Sequence, residues 1–107
     1  MRDAAFLVLA ALARQELHGY GVIGEVTALS GGRLVLGPGT LYGTLDRLTQ
    51  QGLIRPTRTE VVEGRLRRYY GITAQGTSAV HSEAESRAAT LRAASARLNL
   101  GPRGASA

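Results

Sequence analysis

The chain has 107 residues, 13 of them arginine with no lysine or cysteine, and a formal charge of +5. A domain of this length buries about two-thirds of its unfolded surface, which leaves no room for a second independent core. The lack of cysteine excludes a disulfide framework and a thiolate metal site, and fits a cytoplasmic location, the one expected here.

Residues 4–13, AAFLVLAALA, predict a first helix over about 3–14. It is apolar nearly all the way round, so it should be buried on more than one side. The run is too short for a bilayer, which takes about 20 residues. It also falls below the roughly 15-residue minimum of a secretory signal, so neither a membrane partner nor secretion is expected. His18 then precedes a second helix over 19–30, GYGVIGEVTALS, and is expected to fix that turn by hydrogen bonding. Val22, Ile23, Val26 and Leu29 form the expected inner face. Gly19, Gly21 and Gly24 each weaken the helix by up to about 1 kcal/mol relative to alanine, so packing must hold it. Gly31 and Gly32 end it, and RLVL at 33–36 reads as a short strand.

Residues 37–48, GPGTLYGTLDRL, open a third helix over 38–51. Pro38 suits the first helical position, where its missing amide would have no partner. Leu41, Leu45 and Leu48 recur on one face. The opposite side carries Gly39, Gly43 and Gln50, with Asp46 and Arg47 nearby and Thr40 and Tyr42 at the flanks. A helix so bare outside can come close to something large. A carboxylate facing phosphates would repel them. For Asp46 an internal role, paired with Arg47 or Gln50 or turned away, is therefore favoured over acceptance from a cytosine amino group.

The period then changes. LIRPTRTEVV and RLRRYYGIT are β-prone, and EGR at 63–65 supplies a turn between them. In the second run Leu66, Arg68, Tyr70 and Ile72 point one way and Arg67, Tyr69 and Gly71 the other. Pro56 marks the first strand as an edge or as irregular near its start. Thr73 caps a fourth helix over about 74–99. Its stripe of Val80, Ala84, Ala88, Leu91, Ser95 and Leu98 is thin and allows close helix–helix approach. GPRGASA at 101–107 has the composition of a disordered tail.

Charge is concentrated in the middle: residues 1–32 sum to −1, residues 33–68 to +4 and residues 69–107 to +2. Such clustering is the footprint of a nucleic-acid surface. Three helices followed by a two-stranded ribbon give an α+β, mainly α fold. The expected architecture is a winged helix-turn-helix over 1–73 with a dimerisation helix over 74–100. In such folds the helix matching 38–51 enters the major groove of double-stranded DNA. Gly39 and Gly43 let its backbone approach, Thr40 and Tyr42 reach from the sides, and Arg47 meets phosphate or guanine. Arg65 and Arg67 of the ribbon make a second contact. Arg68 either joins them or packs its stem over the core edge.

LHGYGVIGEV, LSGGRLVLGPGTLYGTLDRLTQQGLI and RRYYGITAQG, in this order and spacing, resemble the signature of PadR-type transcriptional regulators. The match runs from about Leu7 to Gly76. The resemblance implies a homodimeric repressor on a palindromic operator, released by a small molecule or other signal. It also implies DNA contacts at Thr40 and Tyr42, and a phosphate contact at Tyr20. Dimerisation would use the fourth helix with help from the first, through Phe6, Leu7, Val80, Ala84, Ala88, Leu91 and Leu98. Gly43 departs from the proline common after the tyrosine, and Gly37 from the usual serine cap. No tryptophan is present, such as some compact relatives use to hold flat aromatic drugs.

A winged helix that binds protein instead of DNA is the alternative. It would need an apolar, neutral outer face on the third helix, which Asp46, Arg47 and Gln50 do not provide. An enzyme is not expected, and neither is a cofactor or a metal. His18 and His81 fall in different helices, and no phosphate-binding loop, nucleophile elbow or zinc-protease motif occurs.

Overall fold

In a computed structural model, which describes residues 1–98, α1 covers Asp3–Leu12 and α2 covers Gly19–Leu29. They are followed by α3 (Pro38–Gln50), the strands β2 (Ile54–Val62) and β3 (Arg65–Ile72), and α4 (Ala74–Arg97). A two-residue strand, β1 (Leu17–His18), completes an antiparallel sheet in the order β1-β3-β2. This is a winged helix-turn-helix, α+β and mainly helical, as the order of elements implies. The predicted tail at 101–107 and the last residues assigned to the fourth helix lie outside the described residues.

The core is assembled from every helix. Val8, Leu9 and Leu12 of α1 meet Val22 and Val26 of α2, Leu41, Leu45 and Leu48 of α3, and Ile54 and Tyr70 of the ribbon. Each such aliphatic side chain contributes about 1.5–3 kcal/mol on burial. Leu29 does not join them; it is 51% exposed, because the helix turns that position toward solvent at its last residue.

The segment 33–36 is not a strand. Gly31 and Gly32 adopt φ of 62° and 83°, and the chain then folds back around a buried serine. The Ser30 hydroxyl donates to the Thr27 carbonyl at 3.1 Å and accepts from the Leu34 amide at 3.0 Å. Leu36 drops into the core while Val35 stays outside. The sheet edge is taken instead by Leu17 and His18, paired with Tyr70 and Tyr69.

Pro56 has the expected effect. The β2–β3 register shifts between Pro56 and Arg58, leaving Thr57 without a partner across the ladder. At the tip, Glu63 and Gly64 take φ of 52° and 76°, the pair of left-handed residues that a tight two-residue hairpin needs.

Hydrogen bonds tie the end of α3 to the start of α4. Gly52 has φ of 75°, its amide bonds the Thr49 carbonyl and the Leu53 amide bonds that of Leu48, which ends α3 in a Schellman motif. Thr73 Oγ1 donates to the Gly52 carbonyl at 2.7 Å and accepts from the Gly76 amide at 3.0 Å. The Thr73 amide bonds the Leu53 carbonyl. One threonine thus caps α4 and ties it to the end of α3.

Candidate nucleic-acid interface

The inner side of α3 is buried through Leu41, Thr44, Leu45 and Leu48. At roughly 100° per residue, Gly39, Gly43, Asp46 and Gln50 fall on the opposite side. Gly39, Asp46 and Gln50 are exposed and Gly43 half-buried. No atom of a neighbouring residue lies within 4 Å of where a Cβ at Gly39 would stand, so the outer face is as open as its sequence suggests.

The two flanks differ. On one, Thr40 and Arg47 line a cavity of about 420 Å³ together with Arg2, Ala4 and Ala5 at the start of α1. Arg47 Nη2 donates to Thr44 Oγ1 at 3.4 Å, which holds this cation at the side of the helix, where it suits a phosphate better than a base edge. On the other flank the Tyr42 ring is 51% exposed, and its hydroxyl would stand 2.9 Å from a Cβ at Gly19. Tyr20, the next residue, is 76% exposed. The Tyr42 hydroxyl therefore lies over the start of α2, the turn that carries Tyr20.

Asp46 departs from its expected internal role. It is exposed, Arg47 is bonded to Thr44, and among the described residues no cation pairs with it.

In the ribbon, alternation places Arg65, Arg67 and Tyr69 on the outer side. Leu66 and Arg68 lie on the same side as the core tyrosine Tyr70, but beyond the reach of the core. Arg65 and Arg68 are exposed and Arg67 is half-buried. Among the described residues none of the three makes an ion pair. Arg68 lies opposite Thr59, toward the tip of the ribbon from Tyr70. Val61 and Leu66, paired across the strands near the tip, are both largely exposed. Sequence reading passed over them, because alternation alone assigns Leu66 to the core side.

Arg58 is already engaged. Its guanidinium lies 3.7 Å from the centre of the Tyr69 ring and bonds Glu16 and Glu60. His18 packs edge-on against the same ring, with centroids 5.3 Å apart. This cluster braces the wing against the segment before α2. Burial first, and then the charge of Arg67, hold the His18 imidazole below its usual value. Both effects favour the neutral ring, the form in which Nδ1 can accept from the Gly21 amide at 3.4 Å; His18 fixes the turn as its position suggests.

The hydrogen bond from Arg58 holds the Glu16 carboxyl below its ordinary 4.5. A depressed carboxyl stabilises the fold fully above its ordinary value, and that contribution is lost as pH falls through the lowered one. Glu16→Gln should therefore lower the thermal midpoint slightly at neutral pH, and the difference from wild type should shrink as pH falls below 4.5, when both proteins are melted in the same buffers.

The residues assigned to dimerisation divide. Val80 is only 9% exposed and belongs to this chain's own core, because the first turns of α4 pack on α1 and β3. Phe6 is half-buried, with the Arg87 guanidinium 4.3 Å from its ring centre. Arg87 also bonds Asp3 and the Met1 carbonyl, each at 2.8 Å. Leu7 is half-buried, whereas Ala84 and Ala88 are exposed, and Leu91 and Leu98 are 68% and 65% exposed. Among the described residues no helix is long and apolar enough to cross a membrane.

Residues 8–82 match the Transcriptional regulator PadR-like family. An uncharacterised 37.1 kDa protein of a Streptomyces fradiae transposon is 43% identical over 86 residues, which is 80% of this chain but only 23% of that protein. The chain thus spans less than a quarter of this relative's length. Among solved structures, a PadR family transcription regulator from Clostridium difficile superposes with a TM-score of 0.73 at 21% identity, covering 94% of this chain and all of that one. Bacillus subtilis PadR in complex with operator DNA superposes at 0.67 and 24% identity, over 76% of this chain and 46% of that one. The solved structures speak for the winged-helix fold, and the family match for descent: the chain belongs to the PadR-like family of transcriptional regulators.

Proposed function

We propose that this chain is a DNA-binding repressor that acts as a homodimer on a palindromic operator and is released by a small molecule or other signal. The observation that carries the reading is the outer face of α3, free of bulk at Gly39 and Gly43 and bordered by Tyr42, Thr40 and Arg47. The wing arginines Arg65, Arg67 and Arg68, which make no ion pair among the described residues, supply a second contact to the backbone, and Tyr20 a further phosphate contact. That Bacillus subtilis PadR, which shares this fold, is found in complex with operator DNA supports DNA as the partner.

The exposed half of α4 supports the dimer. Ala84, Ala88, Leu91 and Leu98 are exposed along its stripe and Ser95 is half-buried there, with the half-buried Leu7 and Phe6 on α1. Val80 acts through the core. Two copies would set their α3 helices about 34–36 Å apart, one turn of duplex. Light scattering at micromolar concentration should give twice the mass of the chain; a monomer would remove the dimer from this reading.

Duplex binding tests the rest. A dimer that neutralises about 6–10 phosphates should lose about 10³–10⁵ in affinity between 50 and 200 mM salt. Arg67→Ala should weaken binding and flatten the salt slope by about one unit if it meets a single phosphate. Tyr42→Ala should also weaken binding while the thermal midpoint falls by only a few degrees, since half of that ring is already in water. Wild-type affinity in both variants would take these residues out of the interface.

A further inference from the structure

Asp46 occupies the position on α3 where a reader of bases would stand. The buried leucines fix the inner side of the helix, and Asp46 lies opposite them with Gly39, Gly43 and Gln50. Arg47, the helix's one cation, is turned to the flank and bonded to Thr44, so nothing on α3 neutralises this carboxylate. On a face that approaches a polyanion such a group is unfavourable: two like charges about 4 Å apart repel by about 1 kcal/mol even in bulk water.

We infer that Asp46 accepts a hydrogen bond from the exocyclic amino group of a cytosine in the major groove. This rests on the reading of α3 as the groove-entering helix. An ionised carboxylate only accepts. In the major groove guanine shows two acceptors and thymine an acceptor beside a methyl group. Adenine sets an acceptor beside its amino donor, and only cytosine offers a donor without a competing acceptor on the same base. The side chain is short, and the glycines explain how it reaches. With no Cβ at positions 39 and 43, the helix axis can lie closer to the base edges than a fully clothed helix would allow. Asp46 then discriminates as much by what it repels as by what it binds, because guanine, thymine and phosphate all present oxygen or nitrogen lone pairs.

The test is selection from a pool of random duplexes by the wild-type protein and by Asp46→Ala and Asp46→Asn, each first shown to melt like the wild type. Wild type should enrich a cytosine at one position of each half-site. Asp46→Ala should lose that preference and keep the others. Its affinity for the selected duplex should approach its affinity for unselected duplex, the ratio falling by about tenfold or more. Asp46→Asn should shift the same position toward adenine, whose donor and acceptor match an amide. A wild type that enriches no sequence overturns the regulator reading and this inference with it. A wild type that enriches a sequence, with Asp46→Ala enriching the same cytosine, overturns the inference alone.

Discussion

Gly76→Ala should be among the most destabilising single substitutions in this protein. A Cβ at position 76 would stand 2.0 Å from the Leu53 carbonyl oxygen and 2.8 Å from Ile72 Cγ1. The first obstacle is backbone, and that backbone is pinned twice: the Leu53 carbonyl accepts from the Thr73 amide, and the Leu53 amide closes the end of α3. No rotamer change relieves the overlap, so α4 must move away from the ribbon. Overpacking of this kind costs about 1–3 kcal/mol, and a rigid backbone neighbour puts the cost at the upper end. For a chain of this size that corresponds to a thermal midpoint lower by about 10–20 °C. Gly24→Ala is the control. Nothing lies within 4 Å of its Cβ position, and the same substitution in the open middle of α2 should raise stability by up to about 1 kcal/mol. Parallel melts of the two variants should therefore move in opposite directions. A Gly76→Ala midpoint at or above wild type would show that α4 does not start against Leu53.

The second large effect separates folding from binding. The double substitution Gly39→Leu with Gly43→Leu should leave the free protein as stable as wild type or more so, and should reduce duplex affinity by about a hundredfold, as the loss of two base contacts would. In the free protein both side chains have room: position 39 is open, and position 43 meets only Arg47 Nη1 at 3.7 Å. Leucine also favours a helix over glycine by up to about 1 kcal/mol per position. Bound to DNA, the same side chains would fill the space between the helix and the groove floor. The checks are a thermal melt and a duplex titration at fixed salt. A variant that melts higher and still binds as wild type would show that α3 does not enter the groove by this face.

Much of this arrangement is visible in the chain itself because single residues mark it. Pro38 and the three leucines of α3 give that helix its start and inner face, and Gly52 ends it. Thr73 marks the first turn of α4, and Pro56 marks the irregularity of β2. What the sequence hid follows from contacts across long separations. β1 is two residues long and carries no periodicity, and it exists because β3 offers it an edge. The loop at 33–36 is set by the buried hydroxyl of Ser30, not by the β-propensity of its own residues. Val80 has the spacing of an interface residue but falls within reach of the core, since the hydrogen bonds at Thr73 bring the first turns of α4 down onto α1 and β3. For the candidate site, the open face of α3 follows from helical spacing alone. The isolation of Asp46 does not, because it depends on Arg47 choosing Thr44 as its partner.

The wedged root of α4 makes that helix a lever. Its 24 residues extend about 36 Å, so a swing of about 10° at the base would carry the far end some 6 Å, roughly. That is nearly two base-pair steps of about 3.4 Å. With Gly76 seated on Leu53 there is no slack at the pivot. The angle at which the lever leaves is set by one glycine and one carbonyl, and in the proposed dimer that angle would fix how far apart two copies reach along a duplex.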